Sequence, residues 1–258
     1  MRLWGYRPSL REDSDYPVER MLALAGARDK SIGRCGLEYQ VVQVLDQGPL
    51  GSCVFNGLSQ MIRMRNRADV PGSSPPLPSR LLPYYCSRDS EGLVHIDCGA
   101  DPKTAIKMYR KYGCCDEQHW PYFIDKFDVF PGMEAFRLSY DHRAFEYYFI
   151  LSSGARRVEE CKLALDAGYA VGIGTTVGSA FDAWKAGDPP LLPPSRDELR
   201  RSGHFTVLIG YDGDRFLDLN SWGSSWGDHG KAWLSADYIA WSETKDLLVI
   251  RRAPKIPD

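Results

Sequence analysis

Most strand-like segments of this chain lie in its second half, and this asymmetry limits the folds open to it. Runs of β-branched and aromatic residues bounded by turn residues mark them. A helix in RVEECKLALDAG interrupts the series, and residues 186–203 form a long loop. The segments are EYYFILS (146–152), YAVGIGTTV (169–177), HFTVLIGYD (204–212), RFLDLNSW (215–222) and DLLVIRR (246–252).

The first half has the apolar spacing of helices instead. A buried stripe at 3–4 spacing predicts a helix over 52–68, with Ser52 as its N-cap. Further helices are expected after Ser79 and from Pro102 onwards. The run YQVVQVLDQG (39–48) is of β type. Helices first and strands later predict an α+β protein of two lobes, with a substrate site in the cleft between them.

Composition excludes several classes of function. Hydrophobic residues make up 43% of the 258 residues and charged residues 26%, as in an ordinary globular protein. The formal charge of −2 gives no reason to expect binding to nucleic acid or to an anionic membrane. No stretch reaches about 18 apolar residues, so no membrane span is expected. Because MRLWGYRPSLREDSDYP lacks the apolar core of a signal peptide, we expect a cytoplasmic protein, with delivery into another cell left open.

Cysteine usage argues against a disulfide framework and against a metal site. The count of seven is odd and the spacing is irregular, so we expect reduced thiols. A structural zinc site needs closer ligand pairs, such as C-x-x-C. We therefore expect no metal site. The cysteines are Cys35, Cys53, Cys86, Cys98, Cys114, Cys115 and Cys161.

Cys53 is either a nucleophile or a small core residue at the start of a helix. Free cysteine is often buried for packing alone. A cysteine in the opening turn of a helix can instead have its pKa lowered by the helix dipole and by a nearby histidine cation. Gly51 would allow a substrate backbone to approach closely.

A histidine and an asparagine in the second half could complete such a site. His204 begins an apolar strand just after a loop, and Asn220 follows the next strand. The Asn220 amide could hold the imidazole in one tautomer, and Trp222 could shield that hydrogen bond. The alternative is a structural histidine beside a Gly/Ser loop held by two buried tryptophans.

Two segments together resemble the papain-like cysteine peptidases. DQGPLGSCVF is similar to the family's Q-G-x-x-G-S-C segment, and GHFTVLIGYDGDRFLDLNSWGSSWGDHG to its G-H-x-V-x-x-x-G-Y … N-S-W-G-x-x-W-G-x-x-G segment. The order Cys, His, Asn agrees, over roughly residues 40–252. The resemblance implies an α+β, papain-like two-lobed fold, with a helical left lobe, an antiparallel β-barrel-like right lobe and the active-site cleft between them.

The resemblance also implies the catalytic roles. Cys53 is the nucleophile, and His204 is its ion-pair partner and later the acid for the leaving amine. Asn220 orients His204, with Trp222 shielding that contact. Gln47 supplies the side-chain donor of the oxyanion hole.

The resemblance further implies substrate contacts. Gly99 and Ala100 match the pair that binds an extended peptide backbone, and Pro102 matches a wall of the pocket for the second residue before the scissile bond. Gly203 and Trp222 are also expected to contact substrate. The alternative is that residues 99–102 only cap a helix.

The chain departs from the family in ways that point to its bacterial or phage-like branch. Leu50 stands where a cysteine is usual, which leaves Cys98 unpaired, and Val54 stands where tryptophan is usual. Residues before Cys53 are too few for the usual long propeptide.

We expect three regions in the chain: an extension over 1–38, a mainly helical lobe over 39–145 and a mainly β lobe over 146–258. The extension is expected to drape over the lobes near the cleft and regulate access, with Trp4, Tyr6 and Tyr16 as anchors. The alternative is a tail merely packed on the surface.

The expected function is peptide-bond hydrolysis through a thioester, which needs no metal or organic cofactor. The expected substrate is a peptide or protein, with neither nucleic acid nor membrane as partner. The alternative is a catalytically suppressed peptide-binding module on the same fold.

Overall fold

The order of helices and strands along the chain follows the asymmetry of the sequence. The structure is a computed structural model that describes residues 5–10, 12, 15–143, 145–195, 198 and 203–255. Its helices are α1 Val18–Leu24, α2 Cys53–Asp69, α3 Leu81–Ser90, α4 Pro102–Tyr112, α5 Gly132–Ser139, α6 Gly154–Asp166, α7 Ser179–Ala183 and α8 Ala236–Ala240. Its strands are β1 Arg34–Gly36, β2 Glu146–Phe149, β3 Val171–Thr176, β4 Gly203–Asp212, β5 Arg215–Leu219, β6 Lys231–Ser235 and β7 Lys245–Arg252.

One antiparallel sheet forms the framework of the second half. Its strands follow the order β2-β7-β3-β4-β5-β6, and β1 pairs with β4 outside this path. In the β3–β4 register Thr175 faces His204, and in the β4–β5 register Val207 faces Leu219. His204 near the start of β4 and Asn220 just after β5 therefore lie at the same end of one hairpin.

Helix α2 lies at the interface of the lobes because it is apolar on several faces. Towards the sheet, Gly57 leaves room for the ring of Phe205. Towards α3 and α4, Phe55 packs on Tyr84 and Tyr109 with ring centroids 5.2 and 6.5 Å apart. This packing places the first residue of α2, Cys53, between the lobes.

Two local expectations differ from the structure. YQVVQVLDQG forms no strand: it carries a 3₁₀ turn at Glu38–Gln40 and a single bridge between Asp46 and Trp222. Its backbone instead holds the loop after β5, through hydrogen bonds such as Gly223 N to Leu45 O at 2.9 Å. Residues 34–36, expected in the extension, form a strand of the sheet.

None of the helices in the described ranges has the length and apolar character that crossing a bilayer requires. All seven cysteines are free thiols.

Candidate active site

Cys53 lies at the lobe interface with its sulfur directed at β4. Its side chain is fully buried at the start of α2. Backbone N–H groups of Phe205, Gly5, Val54 and Cys53 itself are directed at the sulfur. Since Phe205 directly follows His204, the sulfur lies beside the end of β4 that carries the histidine.

The state of this thiol differs from the sequence expectation. Burial raises the pKa of Cys53 to about 11, although the surrounding N–H groups act to lower it. The pKa was expected to be lowered by the helix dipole and the histidine. The loss of hydration of a thiolate outweighs the effect of those N–H groups, because the sulfur is fully buried. The thiol is therefore protonated at neutral pH in this conformation.

His204 and Asn220 form the hydrogen bond that the sequence predicted. Nε2 of His204 lies 2.7 Å from Oδ1 of Asn220, and both side chains are fully buried. The Trp222 ring lies 4.9 Å from the imidazole, and the Phe181 ring lies 5.9 Å from it in an edge-on arrangement. These rings exclude water from the hydrogen bond, which strengthens it.

The Gln47 amide is fixed by partners that the sequence reasoning missed. Its Nε2 donates to the carbonyl of Leu50 at 2.8 Å, and its Oε1 accepts from the hydroxyl of Ser221 at 2.8 Å. Tyr122 donates to the Gln47 carbonyl at 2.9 Å. These bonds fix the orientation of the Gln47 side-chain amide, so the second N–H bond of its Nε2 also has a fixed direction. The position of Ser221 directly after Asn220 was the available signal.

The loop before Cys53 is held by an aspartate from the opposite wall. Asp97 accepts from the Gly51 N–H at 2.9 and 3.1 Å through its two oxygens, and the Tyr84 hydroxyl donates to the same carboxylate. Tyr84 in turn accepts from the Gly99 N–H at 3.3 Å. Gly51 and Gly99 therefore face each other across a narrow cleft. No local sequence pattern indicates this role for Asp97.

The first part of α2 is capped differently from the expectation. Ser52 precedes the helix, but its hydroxyl makes no capping bond to the backbone. It contacts the Tyr122 hydroxyl and accepts from Nδ2 of Asn56 at 3.0 Å. The hydroxyl thus ties the start of α2 to the wall of the left lobe.

The segment of residues 5–7 lies in the cleft and pairs with the expected substrate-binding residues. The N–H of Ala100 donates to the Gly5 carbonyl at 2.7 Å, and the N–H of Arg7 donates back to Ala100 at 2.9 Å. From the other lobe, Gly203 accepts from the Tyr6 N–H at 3.2 Å. Gly99 also faces Gly5, because a Cβ on Gly99 would lie 2.0 Å from the Gly5 carbonyl oxygen. Gly99, Ala100 and Gly203, three of the five residues expected to bind substrate, thus surround the extended backbone of residues 5–7.

The other two expected substrate residues lie nearby. Pro102 is buried at the first position of α4, where Asp101 caps the helix by accepting from the Thr104 N–H at 2.9 Å. Residues 99–102 therefore cap α4, as the alternative expected, and they also contact residues 5–7. Trp222 packs on the His204 ring.

Several contacts hold the extension against the body. Tyr6 is 6% exposed, and Val18 and Met21 of α1 are fully buried. Tyr16 is half exposed and packs edge-on against Tyr148. Trp4, the remaining expected anchor, lies outside the described residues.

A cavity of about 540 Å³ borders the site but does not contain Cys53 or His204. Phe181 lines it and also contacts the His204 ring, and the 188–195 loop forms its far wall. The cleft itself offers no comparable opening at Cys53, because residues 5–7 fill it.

Comparison with known proteins gives one sequence relative and several structural ones. The chain is 34% identical to an uncharacterized peptidase C1-like protein of Acanthamoeba polyphaga mimivirus, over 78% of this chain and 67% of that protein. No protein-family model matches the chain. Xylellain, a cysteine protease from Xylella fastidiosa, superposes with a TM-score of 0.82 and 25% identity, covering 100% of this chain and 98% of xylellain.

Two more distant structures share the fold alone. Procathepsin B S9 from Trypanosoma congolense has a TM-score of 0.69 at 16% identity, over 98% of this chain and 87% of its own. A cysteine protease of Carica candamarcensis, solved in complex with E-64, has a TM-score of 0.60 at 20% identity, over 88% and 99%. The α+β, papain-like two-lobed fold expected from the sequence is thereby confirmed.

Proposed function

This chain belongs to the papain-like, C1-type cysteine peptidases, and from that premise we propose that it hydrolyses peptide bonds through a thioester on Cys53. The observation that carries the proposal is that the Cys53 sulfur and the hydrogen bond between His204 and Asn220 lie beside the same end of β4. The Cys53 sulfur meets the N–H of Phe205, and the neighbouring His204 is held by Asn220 at 2.7 Å. A thiol, an imidazole and an orienting amide are the groups that acyl transfer requires.

The first half of the proposed reaction forms the acyl-enzyme. Nδ1 of His204 takes the Cys53 proton, and the thiolate attacks the substrate carbonyl carbon, whose C=O electron pair moves to oxygen. The Gln47 amide and the Cys53 N–H donate to that oxyanion. His204 then gives its proton to the leaving amine as the C–N bond breaks, which leaves a thioester. Nε2 keeps its hydrogen bond to Asn220 throughout.

The second half regenerates the thiol. A water loses its proton to Nδ1 of His204 and attacks the thioester carbon. The C–S bond then breaks, and the proton returns to the sulfur as the carboxylic acid product leaves. The same oxyanion donors stabilise both tetrahedral intermediates.

We further propose that residues 5–9 hold the enzyme closed in the conformation described. Two features support this: the segment pairs with Ala100 and Gly203, two of the residues expected to bind substrate, and it covers the Cys53 thiol, whose pKa burial raises. A protonated, covered thiol is not a nucleophile. Activity therefore requires the segment to leave the cleft.

Gly5→Ala in the full chain tests both proposals. A Cβ on Gly5 would lie 1.6 Å from the carbonyl oxygen of Gly51, so the segment cannot keep its place. We expect E-64 to alkylate Cys53 about 10- to 100-fold faster than in the parent chain, because overpacking of this kind destabilises the seated segment. Mass spectrometry measures the labelling, and fluorogenic peptides measure the hydrolysis that should appear with it.

Leu10→Ala is the control in the same extension. The Leu10 side chain is 85% exposed, so its loss should leave labelling at the parent rate. Adding Cys53→Ala to Gly5→Ala should abolish hydrolysis. Labelling of Cys53 without any hydrolysis would instead favour the catalytically suppressed peptide-binding module, and absence of both would contradict the enzyme proposal.

A further inference from the structure

The peptide group between Leu50 and Gly51 links two side chains at the site. Its carbonyl oxygen, on Leu50, accepts from Nε2 of Gln47 at 2.8 Å. Its N–H, on Gly51, donates to the two carboxylate oxygens of Asp97 at 2.9 and 3.1 Å. The peptide bond is trans, so these hydrogen bonds leave it in opposite directions. One peptide plane therefore lies between the Asp97 carboxylate and the amide proposed to bind the oxyanion.

Local sterics do not fix the plane of this peptide group, because one of its residues is glycine. Glycine adopts a wide range of φ angles, so the plane can rotate unless an outside contact holds it. Asp97 makes this contact at close range: a Cβ on Gly51 would lie 3.1 Å from Oδ1 of Asp97. A rotation of the plane would break the bonds to Asp97 and turn the Leu50 carbonyl away from Gln47.

Asp97 is itself held by two buried side chains of α3. The hydroxyl of Tyr84 donates to Oδ1 of Asp97. Burial and the Asp97 charge raise the pKa of Tyr84, so the hydroxyl keeps the proton that it donates. The Arg88 guanidinium lies 4.2 Å from the centre of the Tyr84 ring, and its Nε donates to the Tyr84 carbonyl at 3.3 Å. Because Tyr84 and Arg88 are both fully buried, the carboxylate has a fixed support.

These contacts do not involve the extension. Gly51, Asp97 and Tyr84 all belong to the mainly helical lobe, so their hydrogen bonds remain available when residues 5–7 leave the cleft. No disulfide holds the loop before Cys53, because all seven cysteines are free thiols. A hydrogen bond from a backbone N–H to a charged acceptor is stronger than one to a neutral acceptor. The Asp97 carboxylate therefore suits the task of fixing this loop in the open enzyme.

We infer that Asp97 is a positioning residue for the oxyanion hole, and that it acts on the Gln47 amide through the Leu50–Gly51 peptide group. The negative charge of Asp97 also polarises this peptide group, because hydrogen bonds in a chain strengthen one another. The Leu50 carbonyl then holds Nε2 of Gln47 more firmly, and the second N–H of that amide stays directed at the substrate oxygen. The inference rests on the proposed function.

Asp97→Ala in the full chain carrying Gly5→Ala tests this role. We expect kcat to fall about 10- to 100-fold, because a small misplacement of a group that acts in the transition state has effects of this size. KM should change about twofold or less, since the oxyanion forms only after substrate binding. A fluorogenic peptide measures both. Asp89→Ala, at an exposed aspartate of α3, is the matched control and should leave both values unchanged.

Asp97→Asn gives the same test in a variant that keeps the size of the side chain. The carboxylate accepts hydrogen bonds at both oxygens, whereas the asparagine amide accepts at one position and donates at the other. We therefore expect kcat to fall, but less than in Asp97→Ala. An unchanged kcat in both variants, or a rise in KM at constant kcat, would overturn the inference.

A Gln47→Ala background separates positioning from general damage to the fold. If Asp97 acts through the Gln47 amide, Asp97→Ala should lower kcat about twofold or less once that amide is gone. The large loss expected with Gln47 present would then depend on Gln47. An equal loss in both backgrounds would show that the two residues act independently, and the inference would be wrong.

Two reagents report on the site without turnover. Iodoacetamide is attacked at a saturated carbon: the C–S bond forms as iodide leaves, so no carbonyl oxygen becomes charged. Asp97→Ala should therefore leave alkylation of Cys53 within about twofold of its rate in the Gly5→Ala chain. A peptide aldehyde adds the Cys53 thiol across its C=O bond, and its oxygen, which takes up the proton, lies in the oxyanion hole. Its affinity should fall about 10-fold in Asp97→Ala.

The outcomes distinguish this inference from the proposed function. A loss of iodoacetamide alkylation as large as the loss of kcat would place the effect of Asp97 on the thiol, and the role in the oxyanion hole would be wrong. Hydrolysis by the Gly5→Ala chain with no effect of Asp97→Ala would contradict the inference alone. If the Gly5→Ala chain hydrolysed no peptide at all, the proposed function itself would fail.

Discussion

At the scale of single residues, Ser221 connects the two amides of the proposed site. Its N–H donates to Oδ1 of Asn220 at 2.7 Å, and its hydroxyl donates to Oε1 of Gln47 at 2.8 Å. Its carbonyl accepts from the Gln47 N–H at 2.9 Å. One residue thus orients the group that holds His204 and the group that would bind the oxyanion.

Gln47→Ala should therefore lower kcat about 100- to 1,000-fold with little change in KM, because the lost donor acts mainly in the transition state. Ser221→Ala should lower kcat less, about 10-fold, since the amide stays but is less well held. Both are measured as kcat and KM in the Gly5→Ala chain. Ser224→Ala, on the exposed part of the same loop, serves as control. A rise in KM at constant kcat would contradict the assignment.

Asp218 is a buried acid on the strand that leads to Asn220. It is fully buried, it faces Leu208 in the β4–β5 register, and the Thr206 hydroxyl lies close to it. Burial raises the pKa of Asp218 from 3.8 to about 7, which Thr206 only partly opposes. The cause is the cost of placing a charged carboxylate in an apolar interior.

This raised pKa gives a signed prediction for stability. Between about pH 4 and pH 7 the folded chain holds a proton that the unfolded chain releases, so the free energy of unfolding falls as pH rises through this window. Asp218→Asn should match the parent near pH 4 and exceed its stability at pH 8 by up to about 4 kcal/mol. Chemical unfolding at the two pH values measures this. The control Asp214→Asn, at a side chain that is 93% exposed, should leave the pH dependence of the free energy of unfolding as it is in the parent. The prediction would be contradicted if Asp218→Asn also left it unchanged.

At the scale of elements, the contact between α2 and β4 sets the distance between the lobes at Cys53. A Cβ on Gly57 would lie 2.6 Å from Cδ1 of Phe205, so the helix approaches the sheet only because this residue is glycine. Phe205 also supplies an N–H to the Cys53 sulfur. Phe205 therefore sets the distance between α2 and β4 and also contributes a backbone group to the proposed active site.

Gly57→Ala should destabilise the chain by about 1–3 kcal/mol, although alanine favours a helix more than glycine by about 1 kcal/mol. The loss comes from overpacking against Phe205, so Phe205→Leu in the same chain should recover part of it. Urea unfolding gives the values, with Arg67→Ala near the end of α2 as control. A gain in stability would mean that the sheet moves freely away from the helix.

The elements show where local pattern is sufficient. The helix predicted over 52–68 is Cys53–Asp69, and the strand predicted over 204–212 is Gly203–Asp212. In both segments many of the apolar residues that predicted the element are buried in the core of the structure. The run at 39–48 is equally apolar, yet its backbone pairs with the loop after β5 and not with a strand. Short elements such as β1 carry too few residues to form a pattern.

At the scale of the whole molecule, the described residues of the extension form one buried and one exposed ion pair with α4. Nζ of Lys103 contacts Oδ2 of Asp15 at 2.5 Å, and each side chain is 8% exposed. Lys107 contacts Glu12 at 3.0 Å with both side chains about half exposed. Buried pairs are costly to break because they leave one charge unpaired, whereas exposed pairs contribute little.

Lys103→Met should therefore release the extension and speed Cys53 alkylation by E-64 about 100-fold in the full chain. Lys107→Met, the same change one turn further along α4, should alter the rate less than about fivefold. Mass spectrometry of the labelled peptide measures both. Equal rates for the two variants would show that Lys103 does not hold the extension closed.

The sequence by itself determined the chemical groups and the order of the elements. Cys53, His204, Asn220 and Gln47 could be named as candidates without coordinates, because two short segments of the chain resemble those of the papain-like peptidases. Only the tertiary structure decided that residues 5–7 fill the cleft, that the Cys53 thiol is buried with a raised pKa, that Asp97 accepts from Gly51, and that the Tyr6 hydroxyl donates to Asp246. These features join residues as far apart as Tyr6 and Asp246, which are 240 positions apart. Burial and long-range contact depend on how the whole chain packs, and no local pattern encodes them.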